Sequence, residues 1–150
     1  MRIPLTISDH LRRAALVYPD RVGVVDEPEA PGGGLGSLTY RRVHELARAQ
    51  AAALDQRGVD RGERVAIVSH NAARLLISLF GVSGFGRVLV PVNFRLNADE
   101  ISYIVEHSGA TTLLYDPEMA EVVAGIGVKH RLELGAATDG DLFAEGIDPA

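Results

Sequence analysis

Val88-Leu89-Val90-Pro91-Val92 runs into Asn93-Phe94-Arg95-Leu96 and then into Asn97-Ala98-Asp99-Glu100-Ile101-Ser102-Tyr103-Ile104-Val105-Glu106-His107-Ser108-Gly109-Ala110, with Thr111-Thr112-Leu113-Leu114-Tyr115 next. The two outer runs are short, continuous and apolar, as strands buried on both faces are. Between them Ile101, Ile104 and Val105 recur with a helical period. Asn97 followed by Glu100 is an Asn version of the capping box, and Gly109 supplies the helix stop. Pro91 lacks a backbone donor, which places it at the end of its strand and not mid-ladder. Strand, crossover helix, strand is the unit of a parallel sheet.

The same alternation extends upstream. Val65-Ala66-Ile67-Val68 is another buried-strand run, and Asn71 is placed to open a helix through Leu75, Leu76, Leu79 and Phe80. Thr39 is a plausible cap for a longer helix carrying Val43, Leu46, Ala47, Gln50, Ala53 and Leu54, with Gly58 as its left-handed stop. Nearer the N-terminus, Ser8 is placed to cap a helix that ends before Pro19. Arg21 to Asp26 alternates as a short strand, and Pro28 to Gly36, with four Gly in nine residues, reads as a flexible hairpin loop before a strand at Ser37-Leu38. Downstream, Pro117 begins a short helix through Val123, and Lys129 to Leu134 reads as one more strand. The expectation is an α/β fold: a Rossmann-like parallel sheet with flanking helices over residues 1–134, and an irregular tail over residues 135–150.

Bulk properties narrow the function classes. The chain has 150 residues, 47% of them hydrophobic, enough for a real core, and its net charge of −5 argues against a nucleic-acid footprint. It has no cysteine, which removes disulfides, thiolate metal sites and cysteine nucleophiles, and fits a cytoplasmic location. The N-terminal stretch has no signal-peptide pattern. The longest uncharged run, Leu75 to Gly86, rises only about 18 Å as a helix, too short for a membrane span.

Several motifs come close to a chemistry without reaching it. The loop Pro31-Gly32-Gly33-Gly34-Leu35-Gly36 precedes Ser37-Leu38-Thr39 with no Lys, so it is not a phosphate-cradling loop. Gly81-Val82-Ser83-Gly84-Phe85-Gly86 has Phe85 where a nucleophile elbow needs Gly. It reads instead as a helix end whose small residues let the backbone approach the sheet. His44-Glu45-Leu46-Ala47-Arg48 has Arg48 where a zinc helix needs its second His. The remaining histidines, His10, His70, His107 and His130, show no ligand spacing and read as surface or cap residues. Asn93 and Arg95 are the candidate ligand-side residues, because they follow the C-terminal end of a parallel strand and an Arg there can clamp a phosphate or carboxylate. The plainer and favoured reading is that Asn93 ties down a turn and Arg95 pairs with a nearby carboxylate.

Five ordered segments carry a family resemblance. They are Tyr18-Pro19-Asp20-Arg21-Val22; Leu38-Thr39-Tyr40-Arg41; Gly58-Val59-Asp60-Arg61-Gly62-Glu63-Arg64-Val65-Ala66-Ile67; Asn71; and Val90-Pro91-Val92-Asn93-Phe94-Arg95-Leu96. Together they resemble the N-terminal subdomain of AMP-forming acyl-CoA synthetases, the adenylate-forming ligases, from about Leu11 to Tyr115. That resemblance implies an activity in which ATP activates a carboxylic acid, such as a fatty acid, to an acyl-adenylate that is passed to coenzyme A with Mg²⁺ assisting. The family's phosphate-holding loop and its catalytic Glu, Asp and Lys motifs have no counterpart here. The resemblance therefore supplies no catalytic and no cofactor-binding residue, and no ATP, Mg²⁺ or coenzyme A is expected to be held by these residues alone. Locally, Arg87 stands where many relatives have a small residue, and needs a carboxylate partner. The expected partners are the remainder of a ligase chain, covalent or separate, or a second copy docked through uncovered sheet surface. An interaction module complementing a separately encoded ligase remainder, and a small nucleotide- or acyl-binding protein, are the alternatives.

Overall fold

Val65–Val68 lies at the heart of the computed structural model, which describes residues 5–144 and 149. Residues 1–4, and 145–148 and 150 of the expected tail, lie outside the described residues. The elements are α1 (Ile7–Val17), β1 (Val22–Val25), β2 (Ser37–Thr39), α2 (Tyr40–Gln56), β3 (Arg64–Val68) and α3 (Ala73–Ser78), which runs into a π-helical turn at Leu79–Ser83. They continue with β4 (Val88–Val92), α4 (Ala98–Ser108), β5 (Thr112–Tyr115), a 3₁₀ turn at Pro117–Met119, α5 (Ala120–Val123), β6 (His130–Glu133) and α6 (Asp139–Leu142). The sheet is four-stranded and parallel in the order β4-β3-β5-β6, and β1 and β2 form a separate antiparallel hairpin.

Alternation along β3 divides the interior in two. Val65 and Ile67 join Leu54, Ile77, Val82 and Leu114 on one side of the sheet, while Ala66 and Val68 join Ile101, Val105, Leu113 and Val123 on the other. Helices therefore cover both faces, as the crossovers of a parallel sheet require. Thr39 accepts from the Arg42 N–H at the start of α2, the Asn97–Glu100 capping box opens α4, and Gly58 and Gly109 take positive φ beyond their helices. In α2 every residue from Ala49 to Leu54 is buried, because an Ala-rich helix can be packed on all sides.

Four expectations change in detail. Helix α1 starts at Ile7 with Thr6 as its cap, whose N–H donates to Asp9 Oδ2 at 2.8 Å, so Ser8 is not the cap. Helix α3 starts at Ala73, and Asn71 does not cap it. Its first N–H donates instead to Asp26 Oδ1 at 3.0 Å, a carboxylate 47 residues away that also accepts the Leu35 N–H at 2.9 Å. Pro91 is the fourth residue of five in β4, not the end. The Val88 N–H donates to Glu63 O, toward β3, so by alternation the Pro91 nitrogen faces the open edge, where no ladder bond is lost. Gly81 approaches α2 and not the sheet: a Cβ there would come within 2.9 Å of Ala47 O.

The Gly-rich loop and the tail also differ from expectation. The loop is anchored, with Gly32 at φ +75° against the Leu134 carbonyl and Gly32 O accepting from the Ala136 N–H at 2.9 Å. Within the tail, Asp139–Leu142 form α6, with Leu142 and Phe143 buried. Arg74, 2% exposed, donates to both carboxylate oxygens of Asp139 and to Gly33 O, tying loop, helix α3 and tail together. The Arg87 expectation holds: the side chain is buried, pairs with Asp55 at the end of α2 and donates from Nε to Val59 O at 2.8 Å.

His44 on α2 is half-buried, and that burial, with the Arg48 charge adding to it, holds its pKa below the ordinary 6.5. The unfolded chain therefore binds this proton more readily than the folded one, so stability rises with pH. The His44 contribution is complete above pH 6.5 and declines as pH falls below it. Thermal melts of wild type and His44→Gln from pH 7.5 to 5 should show the variant losing less stability on acidification.

Candidate functional site

The C-terminal ends of β3, β4 and β5 open on one edge of the sheet, the edge where open parallel sheets bind ligands. Main-chain pairing of β3 with β5 brings Ser69 and His70 against Asp116. Asp116 is 2% exposed and accepts from Ser69 Oγ at 2.8 Å and from the His70 N–H at 2.7 Å. His70 Nδ1 lies 3.0 Å from Asp116 Oδ2, within hydrogen-bond distance. The other face of the cluster is aromatic. The His70 ring packs on Phe94 with centroids 3.7 Å apart and an interplanar angle of 31°, and the Arg95 guanidinium carbon lies 5.4 Å from the Phe94 centroid. A column Arg95–Phe94–His70–Asp116 thus joins the loop after β4 to the ends of β3 and β5.

Asn93 does tie down its turn, with Oδ1 accepting from the Arg95 N–H at 3.0 Å. Arg95 is exposed, and among the described residues no carboxylate pairs with it. The favoured expectation of a carboxylate partner is therefore corrected: the cation rests on Phe94. Beside them a crevice of about 270 Å³ lies between Ser69, Asn71, Leu75, Val92, Asn93 and Phe94. Burial, and the Glu133 carboxylate in register with it, push the Tyr115 phenol above its usual range, so it stays neutral at the far side of this edge.

The pairing of Ser69 and His70 with Asp116 was not visible in the sequence. His70 read as a surface or cap residue, and nothing in local spacing links it to a residue 46 positions away. The link exists because β3 and β5 are neighbours in the sheet although β4 lies between them in sequence. His10, His107 and His130 do not join this cluster. No group of three or more His, Asp or Glu able to hold a metal ion occurs among the described residues. Lys129, the single lysine, lies at the opposite edge, where β6 begins.

With this architecture in place, comparison with known proteins is decisive. The profile of the AMP-binding enzyme family matches residues 11–147. The chain belongs to that family. A long-chain-fatty-acid–CoA ligase of Thermus thermophilus is 37% identical over 122 residues, which are 81% of this chain and 22% of that protein. A 4-hydroxybutyrate–CoA ligase of Metallosphaera sedula is 35% identical over 106 residues, 71% of this chain and 18% of that protein. The chain thus spans about a fifth of the length of the curated relatives it matches. Among solved structures, the N-terminal domain of FACL13 from Mycobacterium tuberculosis superposes with a TM-score of 0.82 at 28% identity, covering 98% of this chain and 38% of that one. A long-chain-fatty-acid–CoA ligase from Archaeoglobus fulgidus shares the fold with a TM-score of 0.85 at 19% identity, over 100% of this chain and 32% of that one.

Within this member of the AMP-binding family, the Asp116 cluster should matter first for stability. Replacing Asp116 with Ala strands the His70 main-chain N–H and leaves the Ser69 hydroxyl only its 3.0 Å contact to His70 O, and should cost about 1–3 kcal/mol in urea denaturation. Arg95→Ala, at an exposed loop, should change it by no more than about 0.5 kcal/mol.

Proposed function

We propose that these 150 residues are the N-terminal part of an ATP-dependent acyl-CoA synthetase, a fatty-acid or other carboxylate ligase acting through an acyl-adenylate, and are inactive alone. The observation that carries this is the match to the AMP-binding family by a chain spanning about a fifth of relatives that are themselves CoA ligases. ATP, Mg²⁺ and coenzyme A are the reactants of the complete enzyme in this reading.

The groups at the sheet edge do not fit a nucleoside triphosphate with its metal. Ser69 is engaged with Asp116, Asn93 with its own turn, and Arg95 is a single guanidinium on an exposed loop. Phosphoryl chemistry needs several converging donors and cations. No step of adenylation is therefore assigned to residues of this chain, and the acyl pocket and phosphate-holding groups belong to the remaining polypeptide. The purified chain should show no ATP–pyrophosphate exchange with any carboxylic acid. Exchange above a denatured control would overturn the proposal.

A second reading is favoured by one observation, the absence of a carboxylate on Arg95 among the described residues. In it, Asn93 and Arg95 are ligand-side residues and the guanidinium meets a phosphate or carboxylate of a small ligand. Titration with AMP tests it: saturable binding lost in Arg95→Ala supports it, and no binding at millimolar AMP removes it.

A further inference from the structure

Arg95 sits on a loop whose hydrogen bonds close on the loop itself. The Leu96 N–H donates to Asn93 O at 3.2 Å and the Arg95 N–H to Asn93 Oδ1 at 3.0 Å. Neither bond reaches another element, and the Arg95 side chain is exposed. A long cation in such a place samples many rotamers unless a surface is provided for it. That surface is the Phe94 ring, with the guanidinium carbon 5.4 Å from its centroid, inside the range of a cation–π contact.

What fixes Phe94 therefore fixes Arg95. Half-buried Phe94 packs on the core cluster of Val68, Ile101 and Val105, and its ring meets the His70 ring at 3.7 Å between centroids. His70 follows the end of β3 and is itself held from behind. Its main-chain N–H donates to Asp116 Oδ2 at 2.7 Å and Nδ1 lies 3.0 Å from the same oxygen, so one carboxylate sets both backbone and ring. Asp116 in turn accepts from Ser69 Oγ at 2.8 Å, and its own N–H donates to Val68 O at 3.1 Å. Turning the imidazole about its bond to Cβ breaks the Nδ1 contact, and tilting it breaks the ring contact. An aliphatic side chain at this position would have no atom for Asp116 to hold. A support locked on both sides keeps a ligand-side group within the narrow tolerance that binding demands.

We propose that His70 is a positioning residue: its ring, aimed by Asp116, seats Phe94 so that the Arg95 guanidinium is presented at the sheet edge to an anionic group of a ligand. The inference rests on the second reading above, in which Arg95 is a ligand-side residue, and it gives the His70 ring a task other than joining β3 to β5. Two observations separate that task from plain stability. Ser69 and the His70 main chain already join Asp116 to the end of β3 without the imidazole. The imidazole is 30% exposed, so filling the core is not its role.

The test uses the 150-residue chain with three substitutions at one position. His70→Ala removes the ring, His70→Asn keeps a polar group at the reach of Nδ1 without a ring, and His70→Phe keeps a ring without a nitrogen. The main-chain N–H bond to Asp116 remains in all three, so each should still unfold cooperatively in urea. Arg95 is read directly by the heteronuclear NOE of its Nε–H, and ligand binding by titration with AMP. In wild type that Nε–H should be ordered; an NOE no higher than that of a free side chain would overturn the proposal. His70→Ala and His70→Asn should lower the NOE and weaken AMP binding about fivefold, the scale of one lost aromatic pair. His70→Phe should recover most of both, which a direct polar contact between the imidazole and AMP would not allow. If His70→Asn behaves as wild type, or His70→Phe as His70→Ala, the ring is not the support and the proposal fails. AMP binding that is lost in Arg95→Ala but unchanged by all three substitutions at position 70 overturns it too, and leaves the ligand reading intact. If wild type binds no AMP, the ligand reading falls and the proposal falls with it.

Discussion

β3 sits between two parallel neighbours with apolar side chains on both faces, and its main chain has no access to water. Every amide and carbonyl along Val65–Val68 must therefore be met by β4 or β5. Parallel neighbours cannot be reached by a tight turn, so the chain has to travel the length of the sheet between strands, and α3 and α4 are those journeys. Covering both faces of one strand also fixes where helices lie, with α2 and α3 on one side and α4 and α5 on the other. The rest of the architecture answers this one requirement.

Connections that the ladder cannot make are made by buried charges. Asp26 joins the hairpin to the Gly-rich loop and to the first N–H of α3. Arg74 joins α3 to the loop and the tail, Arg87 joins the entrance of β4 to α2, and Asp116 joins the ends of β5 and β3. Each is a nearly buried group, and each sits at a place where main-chain donors or acceptors would otherwise be left without partners. Beside the β4 edge this scheme leaves Val25, Leu76 and Val88 exposed.

Local rules were legible wherever the signal was local. Thr39 and Asn97 cap the helices expected of them, Gly58 and Gly109 stop them, and the buried runs at Val65 and Thr112 are strands. Apart from the Thr6 cap of α1, which is local, the misses share one cause. Asn71 looks like a cap, but the donor at the start of α3 is satisfied by a carboxylate far away in sequence. The Gly-rich loop and residues 135–144 carry no periodic pattern, and their order comes from Arg74 and from apolar contacts of Leu142 and Phe143 made only in the folded chain. Pro91 is tolerated inside β4 because that strand is an edge, and edge or centre is a property of the sheet.

For the candidate site the division is the same. Asn93 and Arg95 could be placed at a strand end from their sequence position, whereas Ser69, His70 and Asp116 become neighbours only when β3 pairs with β5 across the intervening β4 and α4. The sequence by itself determined the α/β class, the parallel sheet, most helix ends and the family resemblance, because capping, periodicity and strand composition act over a few residues. Strand order, the exposed edge, the anchoring of loop and tail and the carboxylate cluster were decided by the tertiary structure. Those features depend on which distant segments share a buried face, and no local pattern records that.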